Sequence, residues 1–319
     1  MSGAVVACSG LIWLIPGLNV LSAIAAIAGL ILITARFGYS RALVSSSVGI
    51  IAAIFFGSLT MEQDFAILNA AAYLIMAIIP GIAMGVAARG FYSPARTIYY
   101  GMAPALLPIL LCGLFYGEIQ RSVPVILNQV KSDVVQTLDS YPILNKMISQ
   151  TYGADVEARE HFFEQVDKIV ALSIKIAPGL FFAGFLTNVV LGLFIAGHFG
   201  SKVGLMLPRF RPFHTWRASD WWFLPTAAGL ALIVFSRGDF WQFAGANILI
   251  VTANIYAATG FAVIVAFFRR FSVPLIFRLI FYIIIFLSML AGLLALAILG
   301  LVDSRFNFRR ETVEKEENR

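Results

Sequence analysis

The sequence has few charged residues, few cysteines and few histidines, and each shortage excludes a class of protein. Only 13% of its 319 residues are charged, while 60% are hydrophobic and the mean hydropathy is +0.88. Soluble domains carry about 25% charged residues, so a water-soluble fold is excluded. The two cysteines, Cys8 and Cys112, stand in separate apolar runs, and the three histidines are far apart. Neither a disulfide framework nor a metal site is therefore expected.

Carboxylates and phosphate-binding loops are missing from the apolar runs. Ion-coupled carriers use intramembrane Asp or Glu as relays, and no predicted span contains one. No glycine-rich loop with Lys and Ser or Thr is present, so ATP hydrolysis by this chain is not expected. A nucleophile with a base beside it cannot be assembled either. The sequence therefore predicts a protein that is not an enzyme and carries no cofactor.

The net charge of +6 does not indicate nucleic-acid binding, because the basic residues are scattered in short gaps between apolar runs, as topology signals are. Suppose that the four basic loops, one of which is 202–217, are cytoplasmic. Three further spans follow that loop, so the tail would lie on the opposite side of the membrane. Its basic residues would then depart from the positive-inside tendency. Either the short segment 221–235 does not cross, or the tail departs from the rule. The expectation is that residues 221–235 cross the membrane fully. Membrane lipid is an expected partner of the chain.

Long apolar runs predict an all-α, polytopic transmembrane helical bundle. Residues 4–35 would reach about 48 Å as one straight helix, so they are expected to break at Pro16 and Gly17 into two short segments or one bent helix. Ala77, Gly81 and Gly85 form a small-residue face for helix packing. The other predicted spans are 42–59, 65–88, 98–116, 178–198, 221–235, 241–268 and 279–302. The total is eight or nine.

An acidic stretch interrupts the apolar pattern between 117 and 168, with eight acidic and five basic residues. Apolar residues at three- and four-residue steps from Val123 predict an amphipathic helix, and a second is expected over about 156–176, where Glu164 precedes Lys168 by four. Both are expected to lie outside the bilayer as a cap, with a partner-docking module as the alternative. The predicted division is a transmembrane bundle at 1–116, this insert at 117–175, a second bundle at 176–302 and a charged tail at 303–319 that frays into solvent.

Polar side chains inside the apolar runs are the candidates for a binding site. Asn247 and Asn254 are seven residues apart, so they project from one face of a helix. Asn188 lies near the middle of another predicted span, and Tyr256 follows Asn254 closely. An amide in hydrocarbon without a partner costs a few kcal/mol, so these amides are predicted to face other helices, a cavity or a ligand.

Several short motifs are spread over nearly the whole length of the sequence. They are 36–41, Pro80 with Gly81, 89–90, 93–96, the acidic insert before Pro178, Asn188, Asn247, Tyr256 with Gly260, and the exit sequence 300–310, which is the most specific. These motifs resemble those of the YybS-like family of bacterial membrane proteins, which implies a multi-pass protein of the bacterial inner membrane and no particular activity. The N-terminal half is also distantly similar to the membrane-embedded substrate-binding subunits of vitamin importers, and to the cell-shape membrane scaffold of the rod complex.

Two functions remain open. In the first, Asn188, Asn247, Asn254 and Tyr256 line a pocket for a small uncharged or zwitterionic solute, and the chain is a substrate-binding transport subunit that needs a separate energising partner. In the second, the amides only join helices, and the chain is a non-catalytic scaffold whose acidic helices or basic loops dock partner proteins.

Overall fold

The structure, a computed structural model, describes residues 2–15, 18–60, 63–140, 156–208, 210–306 and 308–309. Within those ranges the regular elements are helices and none is a strand. Five helices are long and apolar enough to cross a membrane, or up to six if one bent pair is a single span. The all-α fold with several apolar helices is therefore confirmed, and the total of eight or nine spans stays a prediction.

The first helices are α1 (Ser2–Ile12), α2 (Asn19–Phe37), α3 (Tyr39–Thr60), α4 (Gln63–Tyr73) and α5 (Ile79–Arg89), with a π-helical turn at Leu74–Ile78 before α5. The apolar run at 4–35 is broken as predicted, although Pro16 and Gly17 themselves lie outside the described residues. The Ser22 hydroxyl of α2 donates to the Ser9 carbonyl of α1, so the two helices lie side by side as a hairpin.

The small-residue face predicted on α5 packs against α2. A Cβ on Gly81 would lie 2.8 Å from the Leu30 Cβ, and one on Gly85 would overlap the Thr34 side chain. Side chains at these positions would push the helices apart. The packing function of this face is therefore confirmed.

Next come α6 (Pro94–Leu114), α7 (Tyr116–Ser140) and α8 (Val156–Lys202). The amphipathic helix predicted from Val123 is part of α7, and residues 141–155 lie outside the described residues. The second amphipathic helix and the span predicted at 178–198 are one continuous helix, α8, with Pro178 inside it. The predicted pairing of Glu164 with Lys168 is confirmed at 2.7 Å.

The last helices are α9 (Phe223–Phe235), α10 (Asp239–Arg270), α11 (Leu275–Leu287) and α12 (Met289–Phe306). The loop before α9 contains two short 3-10 turns, Phe213–Thr215 and Asp220–Trp222. The single span predicted at 279–302 is not straight: the chain bends by 111° between the helical segments Leu275–Ile285 and Leu290–Phe306.

The chain forms two compact units. The first comprises Met1–Pro108, Phe182–Trp222 and Thr252–Arg319, and the second Ile109–Phe181 and Phe223–Val251. In the second unit, an ion pair of 2.7 Å between Lys131 and Asp167 joins α7 to α8. The four-part division made from composition stays a prediction.

Candidate functional site

Asn247 of α10 lies beside the proline of α8. Its Oδ1 accepts from the Gly179 N–H, and its Nδ2 donates to the Lys175 carbonyl at 2.9 Å and to the Phe243 carbonyl of its own helix at 2.7 Å. Lys175 and Gly179 are four residues apart, the pair that one backbone hydrogen bond joins in a regular α-helix. The amide therefore bridges the two ends of that bond, next to Pro178, which has no N–H to donate.

Gly179 makes this insertion possible because it has no side chain. A Cβ there would lie 2.7 Å from the Asn247 Oδ1 and 2.9 Å from its Cα. Both distances are too short for any side chain without moving a backbone. Pro178, Gly179 and Asn247 therefore act together as one helix contact.

Asn254, seven residues after Asn247 on α10, also forms hydrogen bonds to α8. Its Nδ2 donates to the Ala183 carbonyl at 3.0 Å and to the Thr187 Oγ1 at 3.2 Å. Its partners lie 71 and 67 residues earlier in the chain, and those of Asn247 in α8 lie 68 and 72 earlier. The prediction that two amides seven residues apart would meet a neighbouring helix is confirmed, while solute binding by them stays a prediction.

Asn188 and Tyr256, both in the first unit, differ from that pair. Asn188 is only 4% exposed, and the hydrogen bonds found among the described residues include none to its amide. Tyr256 is 2% exposed, and its hydroxyl likewise has no hydrogen-bond partner in the described ranges. Asn188 and Tyr256 therefore keep polar groups that form no hydrogen bond among the described residues, as does the Oδ1 of Asn254.

The ring of Tyr256 packs where α10 and α12 come closest. Its buried neighbours are Ala218, Ala257, Leu296 and Ala297. A Cβ on Gly260 would overlap the Leu296 carbonyl, and one on Gly300 would overlap the Tyr256 carbonyl. Residues of two resemblance motifs, Tyr256 with Gly260 and the exit sequence that begins at Gly300, therefore meet at one helix crossing.

A polar cluster that the sequence did not indicate joins the end of α12 to the loop before α9, and four of its six residues are buried. We call it the exit clasp; it comprises His214, Trp216, Arg217, Asp303, Ser304 and Arg309. Arg309 pairs with the Asp303 carboxylate at 2.7 Å and donates to the His214 and Trp216 carbonyls at 2.6 Å each. Arg217 donates to the Ser304 carbonyl. The only sequence signal was an acid at the end of an apolar run with an arginine six residues later.

The exit clasp corrects two expectations. The predicted tail at 303–319 does not begin in solvent, because Asp303 is 0% and Arg309 4% exposed; residues 310–319 lie outside the described ranges. The tail was also expected on the side opposite the loop at 202–217, yet its first residues bond to that loop. The structure differs from the prediction in the bend between α11 and α12, where one unbroken span was predicted.

His214 is also buried. Its Nε2 lies 3.0 Å from the Nη1 of Arg269 at the end of α10. Across the part of the chain that the structure describes, no three His, Cys, Asp or Glu side chains could together hold a metal ion.

One comparison with known proteins gave a match. A family model described as "Predicted membrane protein (DUF2232)" matches residues 4–304, which include all four predicted binding residues and Asp303 of the exit clasp. Comparisons with curated proteins and with solved structures gave no match. The family model therefore supplies a class of protein without an activity.

Proposed function

The chain belongs to the DUF2232 family of predicted membrane proteins, and from that premise we propose that it binds a small uncharged or zwitterionic solute for a transport system. The proposal places it in the bacterial inner membrane, as the YybS-like resemblance implies, with the eight or nine spans that the apolar runs predict. It has no ATPase or other enzymatic activity of its own, so a separate protein would supply the energy.

One observation carries this proposal: Asn188 is only 4% exposed, and none of the hydrogen bonds found among the described residues reaches its amide. The described side-chain atoms that are both fully enclosed and without a partner belong to Thr34 and Asp167, so the Asn188 amide is still within reach of a small molecule. An amide offers both a donor and an acceptor without net charge, so it suits a solute with both kinds of group. The Tyr256 hydroxyl is the second polar group that the proposal assigns to the solute.

Asn247 and Asn254 support the packing of α8 and α10 in this proposal, since α8 takes up three of their hydrogen-bonding groups. The proposal therefore assigns only Asn188 and Tyr256 to the solute, and it assigns Asn247 and Asn254 to helix packing. A solute at Asn188 would depend on these helix contacts only indirectly.

Native mass spectrometry of the gently solubilised protein tests the proposal. We expect a small retained molecule on the wild type that is lost in Asn188→Leu, a change that keeps the number and branching of the side-chain heavy atoms and leaves the melting temperature in detergent nearly unchanged. Asn247→Leu is the matched control, because it should lower the melting temperature and keep the molecule. Equal retention by wild type and Asn188→Leu, or no retained molecule at all, contradicts the proposal.

A second candidate function, a scaffold that docks partner proteins, is supported by exposed apolar side chains on the acidic segment. Val125 of α7 is 67% exposed, and Ile169 and Leu172 of α8 are 63% and 56% exposed. Apolar side chains beside charged ones are a common form of protein contact surface.

Replacing Val125, Ile169 and Leu172 by Ser, or deleting residues 123–167, should then remove co-purifying proteins. If neither change removes a partner and uptake is impaired instead, the scaffold function fails.

A further inference from the structure

Three arginines converge at one end of the first unit, around the turn between α2 and α3. The guanidinium carbons of Arg36 and Arg41 lie 5.4 Å and 4.9 Å from the centroid of the Phe37 ring. The Nη1 of Arg89, at the end of α5, lies 3.0 Å from where a Cβ on Gly38 would be. Gly38 has φ +88°, a conformation that other residues rarely adopt. The turn therefore brings arginines from three helix ends together, those of α2, α3 and α5.

Within the described ranges, none of these three arginines belongs to an ion pair. The ion pairs found there involve other basic residues, and Arg36, Arg41 and Arg89 are all exposed. Like charges held close together repel each other unless an anion lies between them. The grouping therefore favours an anion from outside the chain.

The position of the arginines indicates which anion. Three candidate spans, Asn19–Phe37, Tyr39–Leu59 and Phe65–Arg89, end or begin at this turn. Residues at the ends of such helices lie at headgroup level, where exposed aromatic rings are also common. Phe37, Tyr39 and Phe91 are 50%, 62% and 78% exposed. The anion nearest to this level of a membrane is the phosphate of a lipid.

We propose that Arg36, Arg41 and Arg89 form a binding site for the phosphate group of anionic phospholipids. Guanidinium groups bind phosphate oxygens in pairs, and Phe37 holds two of them in place by cation–π contact. The exposed rings extend beside the acyl chains, which a free phosphate ion lacks. The site is independent of the proposed solute site at Asn188.

Lipid retention by the purified full chain tests the proposal. Native mass spectrometry after titration with phosphatidylglycerol or phosphatidylcholine should show a preference for phosphatidylglycerol in the wild type. Changing Arg36, Arg41 and Arg89 to Gln should weaken phosphatidylglycerol binding about fivefold for each arginine removed. Lysine at the same positions should retain part of the preference, because the charge is kept without the paired geometry.

The matched control changes Arg121, Lys131 and Lys168 to Gln. It removes the same number of positive charges from side chains that already pair with carboxylates. Equal loss in both triple variants, or no preference for phosphatidylglycerol in the wild type, overturns the proposal. If inorganic phosphate is retained without lipid and displaces phosphatidylglycerol, the lipid assignment is wrong. Melting temperatures of all variants show whether lost binding reflects lost folding.

Discussion

Four ion pairs among the described residues have the same N···O distance of 2.7 Å and very different surroundings. The pairs Arg121–Glu118, Lys131–Asp167 and Lys168–Glu164 belong to the second unit, and their side chains are 32% to 78% exposed. Asp303 and Arg309 of the exit clasp are 0% and 4% exposed. Exposed pairs contribute about 0–1 kcal/mol. Removing one partner of a buried pair costs about 3–5 kcal/mol. The burial of a pair, and not its N···O distance, therefore determines how much stability is lost when one partner is removed.

The largest expected effect is that of Arg309→Ala. The change leaves the Asp303 carboxylate buried without its cation and removes the donor to the His214 and Trp216 carbonyls. We expect a loss of about 3–5 kcal/mol in the free energy of unfolding, measured by denaturation in mixed micelles. Arg121→Ala, which breaks an exposed pair of equal length, is the control.

A double variant sharpens that measurement. Replacing Asp303 by Leu and Arg309 by Met removes both charges, so it should destabilise less than Arg309→Ala alone. Equal losses from Arg309→Ala and Arg121→Ala would show that burial does not separate the two regions.

The next largest effect concerns the contact between α8 and α10. Gly179→Ala places a Cβ against Asn247, and we expect a loss of about 1–3 kcal/mol from this overpacking. Gly184 lies on the same helix as Gly179, and a Cβ there would have nothing within 4 Å. Gly184→Ala should therefore leave the free energy of unfolding unchanged or raise it by about 0.5–1 kcal/mol. Thermal unfolding in detergent measures both, and similar shifts in the two variants would contradict the close contact.

Asn247→Leu should have a smaller effect, a loss of about 0.6–2 kcal/mol, as for other hydrogen bonds between membrane helices. Asn254→Leu should cost less, because Asn254 has hydrogen bonds from Nδ2 alone whereas Asn247 uses both ends of its amide. The same unfolding measurement ranks them. The reverse order would show that the bridge at Pro178 contributes little.

The smallest expected effect is that of Lys131→Ala, at about 0–1 kcal/mol. Most of it should vanish in high salt, because the partly exposed charges are screened. The salt dependence of the Arg309→Ala loss should be much weaker. Unfolding at two salt concentrations checks this, and a large salt-independent loss in Lys131→Ala would remove the contrast between the two regions.

Much of the fold could be predicted because it depends on local patterns. The break in residues 4–35, the packing face at Gly81 and Gly85, the helical insert after Val123 and the shared direction of Asn247 and Asn254 follow from apolar length, glycine spacing and 3.6-residue periodicity. The continuity of α8 through Pro178 could not, because it depends on an amide about 70 residues later in the chain. The exit clasp was missed because charges after an apolar run are usually solvated.

The sequence by itself determined that this is an all-α membrane protein, and that the amides of Asn247 and Asn254 must find partners. Hydrophobic length and the cost of an unpaired amide suffice for both conclusions. Only the tertiary structure decided which amides are already paired, that Asn188 is buried with no hydrogen bond to its amide among the described residues, and that Asp303 and Arg309 are enclosed. Those outcomes depend on contacts between distant segments, and a local pattern does not specify such contacts.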